Sequence, residues 1–372
     1  MRVIYSPQLM EESVFRHLNH LERSGYRSDY DEYHALADPI YELPEDDREE
    51  AFEKVNKIFF VEKLKLGDHI LRSLEAVGLI PKRRRSAPKP VAAIAAAPQE
   101  KDSESGDEAA LAEAPVEPAP ESEDIAYDLA REFEERIVEV VVKRAINKVD
   151  EGSNVLNRMS GQPKIEMRVL ASRFADPEEA QELDAFLIHE FMHAKDMVDP
   201  EFDYEDAFIP GNPTVKNLIT ARFRLLWNVY VDSRLDRMGI ISVMSRAARY
   251  REFDNFYRKI PEAQRKGIYE GVWQTEKFTH EELLSMATDL ESLMSKYVDE
   301  ADFGEEDRNY IHLQGSPCPL CKFPTYNWVD DPESICDEMV IEAIQIDYPD
   351  WESKDGACDR CIEVYELRAG VN

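Results

Sequence analysis

Between residues 81 and 124 the chain reads PKRRRSAPKPVAAIAAAPQEKDSESGDEAALAEAPVEPAPESED, a run of Ala, Pro, Glu and Ser with almost no large apolar side chains. No other feature limits the fold as much. Such a segment cannot bury enough surface to offset the entropy of ordering it, so it is expected to be a disordered, acidic, semi-extended linker. The 372 residues then divide into an N-terminal module over 1–80, the linker over 81–124, a core over 125–310 and a C-terminal unit over 311–372. The basic run Lys82 to Arg85 is read as a solvated charge cluster at a domain edge.

The first 80 residues read as helical. Asp47 with Glu50 forms a capping-box pattern, followed by Phe52, Val55, Phe59 and Val61 or Leu64 at helical spacing. A second set, Ile70, Leu71, Leu74 and Val77, follows a break at Gly67-Asp68. The four histidines there (His17, His20, His34 and His69) have no mutual spacing that suggests a site. After the linker, a long amphipathic helix is predicted from Ile125 through IVEVVVKRAINKV, and PKIEMRVLA (163–171) alternates like a half-buried strand. A helix over about 177–197 is predicted next, with Asp176 as cap, Pro177 at its first position and Glu179 completing the box. Further helices follow at about 214–238 and on to about 300, one opened by Thr279 with Glu282. The expected class is α+β, mostly helical, with a small sheet packed on the 177–197 helix.

That helix contains AFLIHEFMHAKD, with His189, Glu190 and His193 in the order H-E-x-x-H. Histidines four apart lie one turn apart on one helix face and reach a single ion. Glu190, about 100° round the axis, is close enough to take a proton from a metal-bound water. Zinc lowers the pKa of that water to near 7 and polarises the scissile carbonyl. A strand just before the helix offers an edge for an extended peptide. A third protein ligand is needed, and the H-x-x-G-x-x-H extension is absent. In RLLWNVYVDSRLDRMG, Asn228, Asp232 and Asp236 form a polar stripe at four-residue spacing.

Residues 163–240 thus resemble a gluzincin-like zinc metallopeptidase, a zincin. The resemblance implies that Asp232 ligates a catalytic zinc with His189 and His193, and that Asp236 orients a histidine from behind. Aspartate stands where that family has glutamate. In the alternative register Asn228 is the ligand and Asp232 lies behind it. Tyr230 and Arg234 are candidate oxyanion donors that spacing does not single out.

Cys318-x-x-Cys321 and Cys358-x-x-Cys361 are two chelating pairs, suited to one structural zinc held tetrahedrally by four thiolates, and this module resembles a zinc ribbon. A rubredoxin-like iron site uses similar knuckles. MVIEAIQIDYPDW between them reads as strand material, and Cys336 as a small buried hydrophobe. With 77 acidic against 45 basic residues the net charge is −32. That charge disfavours nucleic acid and anionic lipid and favours a protein partner for the module or ribbon, while the metallopeptidase resemblance implies a peptide or protein substrate. Without a visible leader or an apolar run of spanning length, the expectation is a cytoplasmic peptidase with two zinc ions, one catalytic and one structural. The rival from another class is a non-catalytic scaffold with a silent zincin-like core.

Overall fold

The computed structural model describes residues 1–82, 130–175, 177, 180–206, 209, 213–257, 260–298 and 317–370. All but the first two residues of the expected linker lie outside the described residues, as do the expected cap Asp176 and its partner Glu179. The protein is α+β and mostly helical. Its strands are β1 (Arg2–Tyr5), β2 (Glu139–Arg144), β3 (Gly152–Leu156) and β4 (Lys164–Val169), with a short pair, β5 (Trp328–Val329) and β6 (Ala357–Cys358), near the C-terminus.

β-branched residues decide where the main sheet forms. Ile137, Val138 and Val140 to Val142 crowd a helix at χ1 but pack well on a pleated surface. The long helix expected from Ile125 therefore ends at Arg136, and the valine run becomes β2. The sheet has the order β1-β2-β4-β3. β1 runs parallel to β2, with Arg2 opposite Glu139 and Tyr5 opposite Val142. β2 runs parallel to β4, and β3 pairs antiparallel to β4 at the edge. The strand expected at 163–171 is thus present as β4, but it is paired on both sides. Among the described residues, the sheet edge beside the H-E-x-x-H helix that no strand covers belongs to β3.

The first 80 residues share this sheet and its core, in place of the separate helical module expected. Helices α1 (Pro7–Arg23), α2 (Ser28–Ala37), α3 (Glu45–Ile58) and α4 (Gly67–Ala76) follow β1. α3 starts two residues before Asp47, which sits with Glu45 and Asp46 in an acidic first turn that complements the helix dipole. A π-turn at Phe59–Lys63 brings both Phe59 and Phe60 into the core. Gly67 lets the chain approach Tyr5 closely, and a Cβ there, 2.9 Å from the Tyr5 hydroxyl, would push that side chain aside. One apolar core runs through Leu9, Ile70 and Leu74 into Val140, Val142, Ile165 and Leu187. Each such side chain, fully buried, contributes about 1.5–3 kcal/mol.

The helices that carry the site are α5 (Ala180–Val198) and α6 (Pro213–Arg237), followed by α7 (Arg246–Phe256), α8 (Glu262–Gln274), α9 (His280–Thr288) and α10 (Leu290–Ser295). Thr279 and Glu282 form the expected capping box on α9. α5 buries Leu183, Leu187, Phe191, Ala194 and Val198 along one side, which turns His189 and His193 toward α6. Lys195 locks α5 to the end of α4, its Nζ donating to the Val77 carbonyl at 2.8 Å. A second, smaller core gathers the C-terminal unit around α11 (Glu338–Asp347) and α12 (Asp359–Ala369). MVIEAIQID is α11 there, not the strand expected, because Val340, Ile341 and Ile344 bury at helical spacing after the cap Asp337. No helix among the described residues is long and apolar enough to cross a membrane.

Candidate metal centres

The four paired cysteines meet. Their sulfurs lie within 4.8 Å of one another, with Cys318–Cys361 at 3.9 Å and Cys321–Cys358 at 3.8 Å. A tetrahedral zinc with 2.3 Å bonds to sulfur needs sulfurs about 3.8 Å apart, so the cluster has the size of a four-thiolate zinc site. Local backbone builds it. Lys322 takes a left-handed conformation (φ 65°) in the first knuckle, and Gly356 (φ 60°, ψ −179°) turns the chain into the second. Cys358 caps α12, its Sγ accepting from the Cys361 N–H at 3.4 Å, while the Cys358 N–H donates to Cys318 Sγ at 3.3 Å. Burial pushes the Cys358 thiol up to about 11 and Cys361 higher still, and a cation held among the four sulfurs would favour their thiolate forms. Cys336 is half-buried beside this core, outside the cluster.

The H-E-x-x-H helix forms a second convergence. His189 Nε2 and His193 Nε2 are 3.3 Å apart, and Asn228 Oδ1 lies 3.3 Å from the first and 3.0 Å from the second. Zinc at 2.0–2.1 Å from each of three ligands in a tetrahedral shell needs them about 3.3–3.4 Å apart. The triangle therefore has the dimensions of one face of such a shell.

Asp232 is not at that face. Its Oδ1 lies 3.0 Å from His189 Nδ1, on the far side of the ring, and accepts from Ser242 Oγ at 2.5 Å. Its Oδ2 accepts from Arg249 Nε at 2.6 Å, and Arg249 also pairs with Glu252. Although burial alone would raise this carboxyl, His189, Arg249 and Ser242 hold it below the ordinary aspartate range. Asp232 is 1% exposed and does not line the cleft, whereas Asn228 does. One turn of helix separates the two, so the register that puts Asn228 forward necessarily puts Asp232 behind His189. Asp236, expected in the orienting role, is exposed to solvent.

His193 is buried, and burial lowers its pKa well below the usual histidine range, which keeps the ring neutral as a ligand must be. Its Nδ1 has no partner among the described residues, and its ring stands perpendicular to Trp227 with centroids 4.5 Å apart. Trp227 is itself fixed by Asp196, which accepts from its Nε1 at 2.7 Å and from both Arg234 terminal nitrogens at 2.7 and 2.5 Å. Arg234 lies over the Tyr230 ring at 4.0 Å, and neither residue lines the cleft. The two oxyanion candidates are thus framework side chains.

Glu190 reaches the edge strand. Its Oε2 accepts from the Ser153 N–H at 3.0 Å, and Ser153 Oγ donates to the Glu190 carbonyl at 2.7 Å. Burial raises its carboxyl above the ordinary range, partly opposed by His189 and Ser153. His189, Glu190, His193 and Asn228 line a cleft of 1340 Å³ that also takes in Gly152, Ser153 and Trp227. Sequence reasoning missed Ser153, Ser242, Arg249 and Asp196. Of these only Asp196, one turn past His193 on the same helix, carried a positional signal. No protein-family model, curated protein or solved structure matches the chain.

Proposed function

We propose that the protein is a zinc-dependent metallopeptidase. The observation that supports it best is the triangle of His189 Nε2, His193 Nε2 and Asn228 Oδ1, 3.0–3.3 Å on a side, beside a desolvated Glu190 in an open cleft. Those three residues would hold the ion, and Asp232 fixes the tautomer and orientation of His189 through its Nδ1 proton. Zinc bound there supplies an acidified water and a Lewis acid for a carbonyl. Glu190 takes the proton from water and returns it to the leaving amine, a task suited to a carboxyl raised toward neutrality. An extended peptide lies along the β3 edge, where its carbonyl takes over the Ser153 N–H from Glu190 and so frees the carboxylate. The four-cysteine site serves folding. None of the five cysteines is paired in a disulfide.

The test is Glu190→Gln, assayed with a mixed peptide library alongside metal analysis. Both proteins are expected to carry two zinc ions, with turnover about 10²–10⁴-fold lower in the variant. A wild type that holds both ions and cleaves nothing, or a variant as fast as the wild type, would overturn the reading.

A further inference from the structure

Two loops on the rim of this cleft hold apolar side chains out in water. Val149 is 96% exposed, Ile241 61%, Val243 40% and Met244 38%, and all four line the cleft. A single exposed apolar residue is ordinary, but four around one concavity form a patch of the kind that marks binding. The loops are also built to keep them there. Asn147 Oδ1 accepts from the N–H groups of Val149 and Asp150 at 3.0 and 3.2 Å. Asp150 accepts from the Ile146 N–H at 3.1 Å and is pinned by Arg168 at 2.8 Å. Val149 cannot fold back onto the protein without breaking that set. In the second loop, Ser242 is anchored to Asp232 at 2.5 Å, and Ile241 and Val243 flank the anchor.

The cleft's shape selects the occupant. At 1340 Å³ it exceeds the usual 300–1,000 Å³ of a small-molecule pocket. Its lining includes the aromatic rings of Phe186 and Trp227, set among charged side chains such as Glu182 and Arg224. β3 begins two residues after Asp150, and its Ser153 and Val155 N–H groups are held by side chains, Glu190 and Asn154, instead of by another strand. Donors two residues apart match the repeat of an extended chain.

The geometry points to a substrate class: extended polypeptide segments with bulky apolar side chains around the bond presented to Glu190, the sequences that folded proteins keep buried. This rests on the peptidase reading for its chemistry, though not for its binding. A folded domain does not offer such a segment, so the substrates are unfolded or locally opened chains.

The experiment uses the full zinc-loaded chain and two fluorescent dodecapeptides of equal charge. One carries Leu, Val and Phe at alternate positions, the other Ser, Thr and Asn. Glu190→Gln is expected to bind the apolar peptide at least about tenfold more tightly, the effect of burying one aliphatic side chain. Val149→Asp and Ile241→Asp, introduced at exposed positions, each weaken that binding about tenfold and raise KM for its cleavage. Equal affinity for both peptides, or no loss in either aspartate variant, overturns the inference; cleavage of both peptides in that case would leave the peptidase reading intact. Tight binding of the apolar peptide that Val149→Asp weakens, with no cleavage by wild type, upholds the inference and removes the peptidase reading.

Discussion

Asp232→Asn separates a residue that holds a metal from one that aims a ligand. The substitution keeps the side chain's shape and removes its charge. The amide oxygen still accepts one bond, but the carboxylate no longer serves His189, Ser242 and Arg249 together. Loss of an orienting partner behind a metal-bound histidine typically costs 10–100-fold in metal affinity, or about 1.4–2.8 kcal/mol. Stability should fall as well, because Arg249 is 3% exposed and loses one of its two carboxylate partners. With Glu252 still in place, a loss of about 1.5–3 kcal/mol is expected, the range for a hydrogen bond to a charged group, and not the 3–5 of an orphaned buried ion. The assay is zinc competition against a chromophoric chelator, with the four-cysteine site filled beforehand, and urea unfolding of the same samples. Asn228→Ala, measured in parallel, should lose the second ion altogether. The reasoning fails if Asp232→Asn abolishes binding while Asn228→Ala spares it, since Asp232 would then be the ligand. Unchanged affinity in Asp232→Asn would equally refute the orienting role.

Two further outcomes follow from named contacts. Cys358→Ser should reduce bound zinc from two ions to one and loosen the C-terminal unit, while the His189–His193 ion stays; metal analysis and near-UV circular dichroism check both. The depressed carboxyl of Asp232 stabilises the metal-free fold fully above its ordinary pKa of 3.8, and that stabilisation is lost as pH falls through the lowered native value. The urea-midpoint gap between wild type and Asp232→Asn should therefore be constant near neutral pH and close in acid. A gap that persists unchanged at pH 2 would count against the ion pair.

What the sequence made legible was local. H-E-x-x-H at helical spacing, the two Cys-x-x-Cys knuckles and the Thr279–Glu282 box each depend on residues within one turn of each other, and each is formed. The choice between Asn228 and Asp232 depends on the rotation of α6 about its axis, set by what its buried face of Leu226, Val229 and Leu235 packs against, and spacing alone leaves it open. Ser242 and Arg249 reach Asp232 from a loop and from α7, which only tertiary packing brings together. The valine run at 138–142 has a period that suits either element, and side-chain branching decides for the strand over the expected helix. The docking of the first 80 residues was hidden by the 81–124 segment, whose composition says nothing about whether the elements before and after it pack together.

The pairing of β1 with β2 has a consequence for synthesis. Arg2 pairs with Glu139, 137 residues further along the chain. At 5–20 residues per second, the first strand leaves the ribosome roughly 7–27 s before its partner exists. Through that interval Leu9, Val14, Ile70 and Leu74, which are fully buried at the end, can pack only within the segment that precedes β2, on side chains such as Phe59 and Phe60. β1 and the helices that follow it cannot be locked into the sheet until β2 is translated, so through that interval this stretch of the nascent chain is exposed to aggregation and to chaperones.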